Sequence, residues 1–255
     1  MKKKLLVVCG GQSSEHSISR ISCNSVMKHL DKDKYEITLV GIAKDGKWYI
    51  LKQEDNDLSK DTWLDGAEVV EGVFNLLRSQ DVAFPVLHGL YGEDGTVQGI
   101  LELAKIPYVG CGTLASAVCM DKAVTHTLLS AANIEQAHYL WFYADRYFAD
   151  GEKIRNKIAA RLNFPVFVKP ANAGSSVGVS KATDLESLKD AVQIAFTHDE
   201  KVIIEEFIDG RELEVAVFGY DAPIASYVGE IEPAAEFYDY DDKYVNGSSK
   251  LYIPA

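Results

Sequence analysis

The sequence predicts an α/β protein with an N-terminal doubly wound parallel-sheet domain, a central α+β domain and an incomplete third domain. Three observations predict it. Lys4-Leu-Leu-Val-Val-Cys9 is a continuous apolar run that stops at Gly10-Gly11, as a strand covered on both faces should. Just beyond, Cys23, Val26, Met27 and Leu30 recur at helical spacing and define one apolar face. Tyr35 to Ile42 then reads as a second strand. Strand, glycine turn, helix and strand open a doubly wound sheet.

The remaining elements follow in chain order. Ser13 and Ser14 are placed to cap the first helix. Asp45-Gly46, between Ile42 and Trp48-Tyr-Ile50, signals a hairpin. Residues 52–72 are polar and irregular and read as a surface excursion. Val82 to Leu87 reads as a third strand, interrupted by Pro85. It runs into the glycine-rich loop His88-Gly-Leu-Tyr-Gly-Glu-Asp-Gly95, with a helix expected from Thr96 to Leu103 and a fourth short strand at Ile106 to Val109. Gly110 to Gly112 marks the first boundary, giving an N-terminal Rossmann-like domain over 1–112.

A helix over Leu114 to Ala132, carrying Met120-Asp-Lys122, opens a central domain over 113–204. Mixed helical segments follow, then the strand Val166 to Pro170, a glycine–serine loop from Ala171 to Gly178, and a returning strand Val179 to Lys181. Leu185 to Phe196 is amphipathic, and Lys201 to Ile208 and Leu213 to Phe218 read as strands. The tyrosine- and aspartate-rich stretch from Glu236 reads as a loop, so the third domain, 205–255, is expected to be incomplete.

Composition excludes several classes. With 47% hydrophobic and 25% charged residues, the 255-residue chain is globular rather than disordered. A net charge of −12 argues against general nucleic-acid binding. No apolar run approaches the ~20 residues of a membrane span, and the start is too short for a secretory leader, so a cytosolic protein is expected. Cys9, Cys23, Cys111 and Cys119 show no metal spacing and read as reduced core thiols.

Three features suggest a nucleotide. The segment Lys169-Pro-Ala-Asn-Ala-Gly-Ser-Ser-Val-Gly178 can bring backbone amides close to phosphate, although it reads equally as a plain hairpin loop. Lys169 ends an apolar strand, where a buried cation wants an anion. Lys122 is a second candidate cation, with a solvated lysine as the alternative. Ile203-Ile-Glu-Glu-Phe-Ile208 places Glu205 and Glu206 on opposite faces of a strand, so one must point inward. That carboxylate, or Glu212 beyond it, suits adenine or ribose; an edge-guarding charge is the alternative. At the carboxyl ends of the first domain's strands, Glu15 is either a ligand or a helix-dipole partner, and His88 either a ligand or a core histidine.

Taken in order, these segments resemble one family. The markers are Gly10-Gly-x-Ser-x-Glu15-x-x-x-Ser19, His88-Gly-x-x-Gly-Glu-Asp-Gly-Thr-x-Gln-Gly99, Met120-Asp-Lys122, Lys169-Pro-x-x-x-Gly-Ser-Ser-Val-Gly178, and Glu236-Phe-Tyr-Asp-Tyr-Asp-Asp-Lys-Tyr244 with Ile253-Pro-Ala255. Over the whole chain this is similar to the D-alanine–D-alanine ligases of the ATP-grasp superfamily. The resemblance implies that ATP activates a first D-alanine as an acyl phosphate, which the amine of a second D-alanine then attacks, for peptidoglycan precursor synthesis.

It further implies roles by motif. Glu15 would hold the first ammonium, Ser175 and Tyr244 would close the site with it, and His88 would lie near the first carboxylate. Lys122, Lys169 and Lys243 would contact phosphates under Ser176. Glu205, Glu206, Phe207, Ile208 and Glu212 would form the adenine and ribose pocket. The family's magnesium ligands, an aspartate and a Glu-x-Asn, are expected beyond residue 255, so no metal ligand is assigned here. A homodimer through the first domain is implied as well. The alternatives are a D-alanine–D-serine ligase and a non-catalytic ATP-binding remnant.

Overall fold

The computed structural model describes residues 1–52, 57–233 and 249–255. Two compact units result: Met1–Ile134 with Ala171–Gly174, and Glu135–Pro170 with Ser175–Ala255.

In the first unit, β1 (Lys3–Gly10), β2 (Tyr35–Ile42), β3 (Trp48–Ile50), β4 (Glu68–Val69) and β5 (Val82–Pro85) form one sheet in the order β4-β3-β2-β1-β5. β1 pairs in parallel with β2 and β5, and the Asp45-Gly46 turn folds β3 back antiparallel on β2. Residues of β1 alternate between two cores. Leu6 and Val8 join Leu77 of α2 (Val73–Arg78) and Val97 and Leu101 of α3 (Thr96–Ala104). Leu5, Val7 and Cys9 join Cys23 of α1 (His16–His29), with Val26 and Met27 packed alongside. A strand sandwiched between helices has no polar face, which is why its sequence shows no alternation.

Several expectations need correction. The 52–72 stretch is not all surface: Leu58 and Trp63 are 1% and 5% exposed and complete the α1-side core. Arg20 secures this segment by donating to the Leu58 and Lys60 carbonyls and lying over the Trp63 ring at 4.8 Å. Two apolar residues spaced five apart in polar sequence show no period, so the pattern was silent. Ile106 to Val109 forms only a single parallel bridge, Ala83 to Tyr108, because Pro107 offers no amide to a ladder.

The expected helix over 114–132 is two helices, α4 (Thr113–Met120) and α5 (Lys122–Ala131). Asp121 breaks them with an extended backbone, and its carboxylate caps α5 through the amides of Ala123 and Val124. Ser13 does not cap α1 from within; its hydroxyl accepts from the Glu15 amide, and Glu15 itself is the N-cap residue. Cys111 and Cys119 are exposed rather than core thiols. Cys9 is buried, and its hydrogen bond with Cys23, followed by burial, pushes its thiol well above the ordinary range.

The second unit holds a four-stranded sheet, β6-β9-β7-β8, from β6 (Tyr139–Tyr143), β7 (Val166–Pro170), β8 (Ser180–Ala182) and β9 (Lys201–Glu206). β6 falls in the stretch expected to be mixed helical segments; Tyr-Leu-Trp-Phe-Tyr is β-prone, but it runs straight into α6 (Ala144–Arg161). Helices α6 and α7 (Leu185–Phe196) cover one face, burying Val166, Val168, Val202 and Ile204. Lys169, Ile203 and Glu205 lie on the other.

Beyond β9, the expected strand Leu213 to Phe218 is two short strands, β10 (Glu212–Glu214) and β11 (Val217–Phe218). They pair with β13 (Gly229–Glu232) and β12 (Ile224–Ala225) respectively, and β14 (Lys250–Tyr252) extends the first pair. Among the described residues, no helix is long and apolar enough to cross a membrane.

His16 gives the first unit a pH dependence. It is 3% exposed, bonds the Gly11 carbonyl through Nδ1 at 2.6 Å and sits edge-on to Trp63. Burial holds its imidazole below the ordinary histidine value; the Gly11 bond opposes this, and nearby Arg20 and Lys44 reinforce it. The folded state therefore takes up its proton later than the unfolded chain. This contribution to stability is complete above about pH 6.5 and is lost as pH falls below it. His16→Gln should flatten the decline in melting temperature between about pH 7.5 and 5.5, measured by circular dichroism; parallel declines would contradict this assignment.

Candidate active site

The carboxyl ends of β1 and β5 place the first set of side chains together. β1 ends at Gly10 and Gly11, both at positive φ. A Cβ on Gly10 would lie 2.3 Å from the Ile42 carbonyl, so only glycine fits that turn. Glu15 follows at the start of α1, 4% exposed. Its carboxylate lies against two glycine backbones: a Cβ built on Gly89 would meet Oε2 at 2.2 Å, and one on Gly174 at 2.7 Å. Gly89 comes from the first glycine-rich loop and Gly174 from the glycine–serine loop. Both motifs therefore keep room for the same carboxylate.

Serines of the first segment tie this loop down. Ser13 donates to the His88 carbonyl at 2.7 Å, and Ser19 donates to the Val86 carbonyl while accepting from the Gly10 amide. The Ser22 hydroxyl lies 2.9 Å from His88 Nε2. Within the loop, the Glu93 carboxylate accepts from the Gly89 amide at 2.6 Å, and Asp94 accepts from the amides of Tyr91 and Thr96. His88 is thus no core histidine; it borders an apolar cavity of about 210 Å³ with Gly11, Gln12, Trp48, Leu87 and Leu90.

Lys122 opens α5, and its ammonium donates to the Ala173 carbonyl at 2.5 Å and the Ala171 carbonyl at 3.5 Å. The helix break at Asp121 turns it toward the glycine–serine loop. Farther along that loop, Ser175 and Ser176 both adopt positive φ, 50° and 59°. Such strain costs of order 1–3 kcal/mol per residue and clusters at ligand clamps. Gly178 closes the loop at φ 70°, where a Cβ would lie 2.5 Å from the His198 ring.

In the second unit, Lys169 on β7 and Glu205 on β9 meet at 2.5 Å, with side chains 25% and 11% exposed. Glu205 is the inward carboxylate that strand alternation demands. Phe207 stands 6.0 Å from Phe167, with the Lys181 ammonium over its ring at 4.4 Å. Glu206 accepts from the His138 amide at 2.7 Å. Ile208 and Glu212 are exposed. Lys243 and Tyr244 lie outside the described residues.

Among the described residues, no group of three or more His, Cys, Asp or Glu could hold a metal ion. Sequence reasoning missed Ser13, Ser22 and Glu93 as supports. Ser22 does carry a signal, since it sits one helical turn after Ser19 on the same face. Glu93 carries none, because its role depends on where its own loop turns.

Comparison with known proteins agrees with this geometry. The family model described as D-ala D-ala ligase N-terminus matches residues 4–111, and D-ala D-ala ligase C-terminus matches 128–255. A D-alanine–D-alanine ligase of Acetivibrio thermocellus is 47% identical across all of this chain, which spans 75% of that relative. One from Clostridium novyi is 47% identical over the same shares. Among solved structures, the VanG D-Ala:D-Ser ligase of Enterococcus faecalis superposes with a TM-score of 0.85 at 40% identity, over 100% of this chain and 77% of that one. The D-alanine–D-alanine ligase of Coxiella burnetii superposes at 0.81 with 35% identity, over 90% and 71%. Two glycine loops shaped around one buried carboxylate, an inward Lys–Glu pair and matches that span this whole chain agree on one conclusion: the chain belongs to the D-alanine–D-alanine ligase family, ATP-dependent ligases of the ATP-grasp fold.

Proposed function

We propose that the protein forms D-alanyl-D-alanine through an acyl phosphate, for peptidoglycan precursors. The buried Glu15 carboxylate carries this reading. A carboxylate removed from water and faced by two glycine backbones is a strong acceptor for a charge-assisted hydrogen bond, and the ammonium of an amino acid can donate one. In the first step, the D-alanine carboxylate attacks the γ-phosphorus of ATP and ADP leaves. In the second, the amine of another D-alanine adds to the acyl carbon, and phosphate leaves from the tetrahedral intermediate. The first step concentrates negative charge on the transferring phosphoryl group, so catalysis rests on positioning and on fixed cations.

The chain's own residues divide this work. Glu15 anchors the first ammonium, with Ser175 and Tyr244 closing over it, and His88 meets the carboxylate. Lys122, Lys169 and Lys243 hold phosphates, and Ser176 with its neighbouring amides covers them. Glu205, Glu206, Phe207, Ile208 and Glu212 form the adenine and ribose pocket. Lys169 already neutralises Glu205, so an arriving phosphate shares that cation. No magnesium ligand is assigned within residues 1–255. The domain division 1–112, 113–204 and 205–255 belongs to the same reading, as do a homodimer and a cytosolic location. A D-alanine–D-serine ligase is the second reading, favoured by the 40% identity to the VanG enzyme.

Glu15→Gln keeps the shape but removes the charge. It should weaken D-alanine binding about tenfold to a hundredfold, since a charge-assisted contact contributes ~1.5–3 kcal/mol. Affinity for a non-hydrolysable ATP analogue should hardly change. Calorimetric titration of both ligands decides it: weakened nucleotide binding with intact D-alanine binding would reduce Glu15 to a helix-dipole residue.

Lys169→Ala should weaken binding of the same analogue more than tenfold, because a partly desolvated cation on phosphate contributes more than ~1.5 kcal/mol. Lys60→Ala, whose exposed ammonium pairs with Asp57 at 3.4 Å, should leave it unchanged. Equal affinities in the two variants would return Lys169 to a structural lysine.

A further inference from the structure

We propose that Ser22 is a positioning residue: its hydroxyl donates to His88 Nε2 and so keeps the ring proton on Nδ1, available to the substrate carboxylate. The inference rests on the reading of His88 as a contact of the first amino acid.

Helix α1 presents Ser19 and Ser22 on one face, three residues apart. Ser19 is committed to the end of β5 through the Val86 carbonyl. One turn later, Ser22 reaches the ring two residues beyond Val86, at 2.9 Å. Ser13 holds the His88 carbonyl from the same segment. Backbone and ring of His88 are therefore both fixed by residues 13–22, and among the described residues no hydrogen bond engages Nδ1.

A neutral imidazole has one N–H and one bare nitrogen, and the bond made by one nitrogen selects the tautomer. Two arrangements satisfy the 2.9 Å contact. If Nε2–H donated to Ser22, the bare Nδ1 would present a lone pair to the substrate carboxylate, which is repulsive. If the Ser22 hydroxyl donates to Nε2, Nδ1 carries the proton and can donate to that carboxylate. Only the second suits the substrate. Ser22 itself touches no ligand in this scheme; it acts through His88.

The test uses the 255-residue chain labelled with ¹⁵N-histidine, with long-range ¹H–¹⁵N spectra recorded above the imidazole titration and His88 assigned by its loss in His88→Gln. The expected wild-type state is Nδ1–H. Ser22→Ala should move the population toward Nε2–H, the tautomer favoured by free imidazole side chains, and Ser22→Thr should restore Nδ1–H. D-Alanine affinity should fall about three- to tenfold in Ser22→Ala and recover in Ser22→Thr, with ATP-analogue affinity unchanged in both. An Nε2–H ring in the wild type, or a tautomer indifferent to Ser22→Ala, would overturn the inference. If the tautomer follows Ser22 but saturating D-alanine leaves the His88 signals unmoved, Ser22's hold on the ring stands and the placement of substrate at His88 falls instead.

Discussion

Removing the Glu15 carboxylate from water is the constraint around which the first unit is organised. A buried charge is costly unless donors or a countercharge meet it, so its surroundings cannot be left to loose packing. The turn that delivers it requires glycine at Gly10, where a side chain would strike the Ile42 carbonyl. The backbones facing it require glycine again, at Gly89 and Gly174. Glu93 then holds the Gly89 amide, and Ser13 and Ser19 hold the strand end that leads into the loop. Each support is ordinary hydrogen bonding. Together they fix one carboxylate at the carboxyl edge of a parallel sheet, where ligands of such folds bind.

The second unit solves a different problem with the same economy. Helices cover one face of its sheet, and alternate residues of β7 and β9 fall on the other, where Ile203 is buried. Lys169 and Glu205 share that second face and neutralise each other across adjacent strands. A pair of this kind contributes modestly to stability, yet it keeps a cation and an acceptor oriented for a nucleotide. The loop between β7 and β8 adds backbone strain at Ser175 and Ser176, stored where phosphates are proposed to bind.

Much of this was legible in the sequence where a period or a glycine carried the information. β1, α1, β2 and the Asp45-Gly46 hairpin follow directly from apolar spacing and turn chemistry, as does the inward Glu205. Legibility failed where the decisive contact is tertiary. Trp63 and Leu58 join the core from polar surroundings because Arg20, far away in sequence, holds their loop. The helix break at Asp121 depends on a cap competing with helix propensity. Of the proposed site, Glu15, Lys122 and Lys169 stand out in the sequence by motif; Ser22 is marked only by its helical spacing from Ser19, and Glu93, which acts through its own loop, carries no signature. Lys243 and Tyr244 fall outside the described residues.

The central claim is that Glu15 recognises an ammonium. Titrating the protein with D-alanine and with D-lactate, its hydroxy analogue, under identical salt tests this most directly. The two ligands share the carboxylate and methyl group and differ in the group that would face Glu15. The account predicts that D-alanine binds at least about tenfold more tightly, as a charge-assisted contact requires. Equal affinities, or tighter binding of D-lactate, would contradict it.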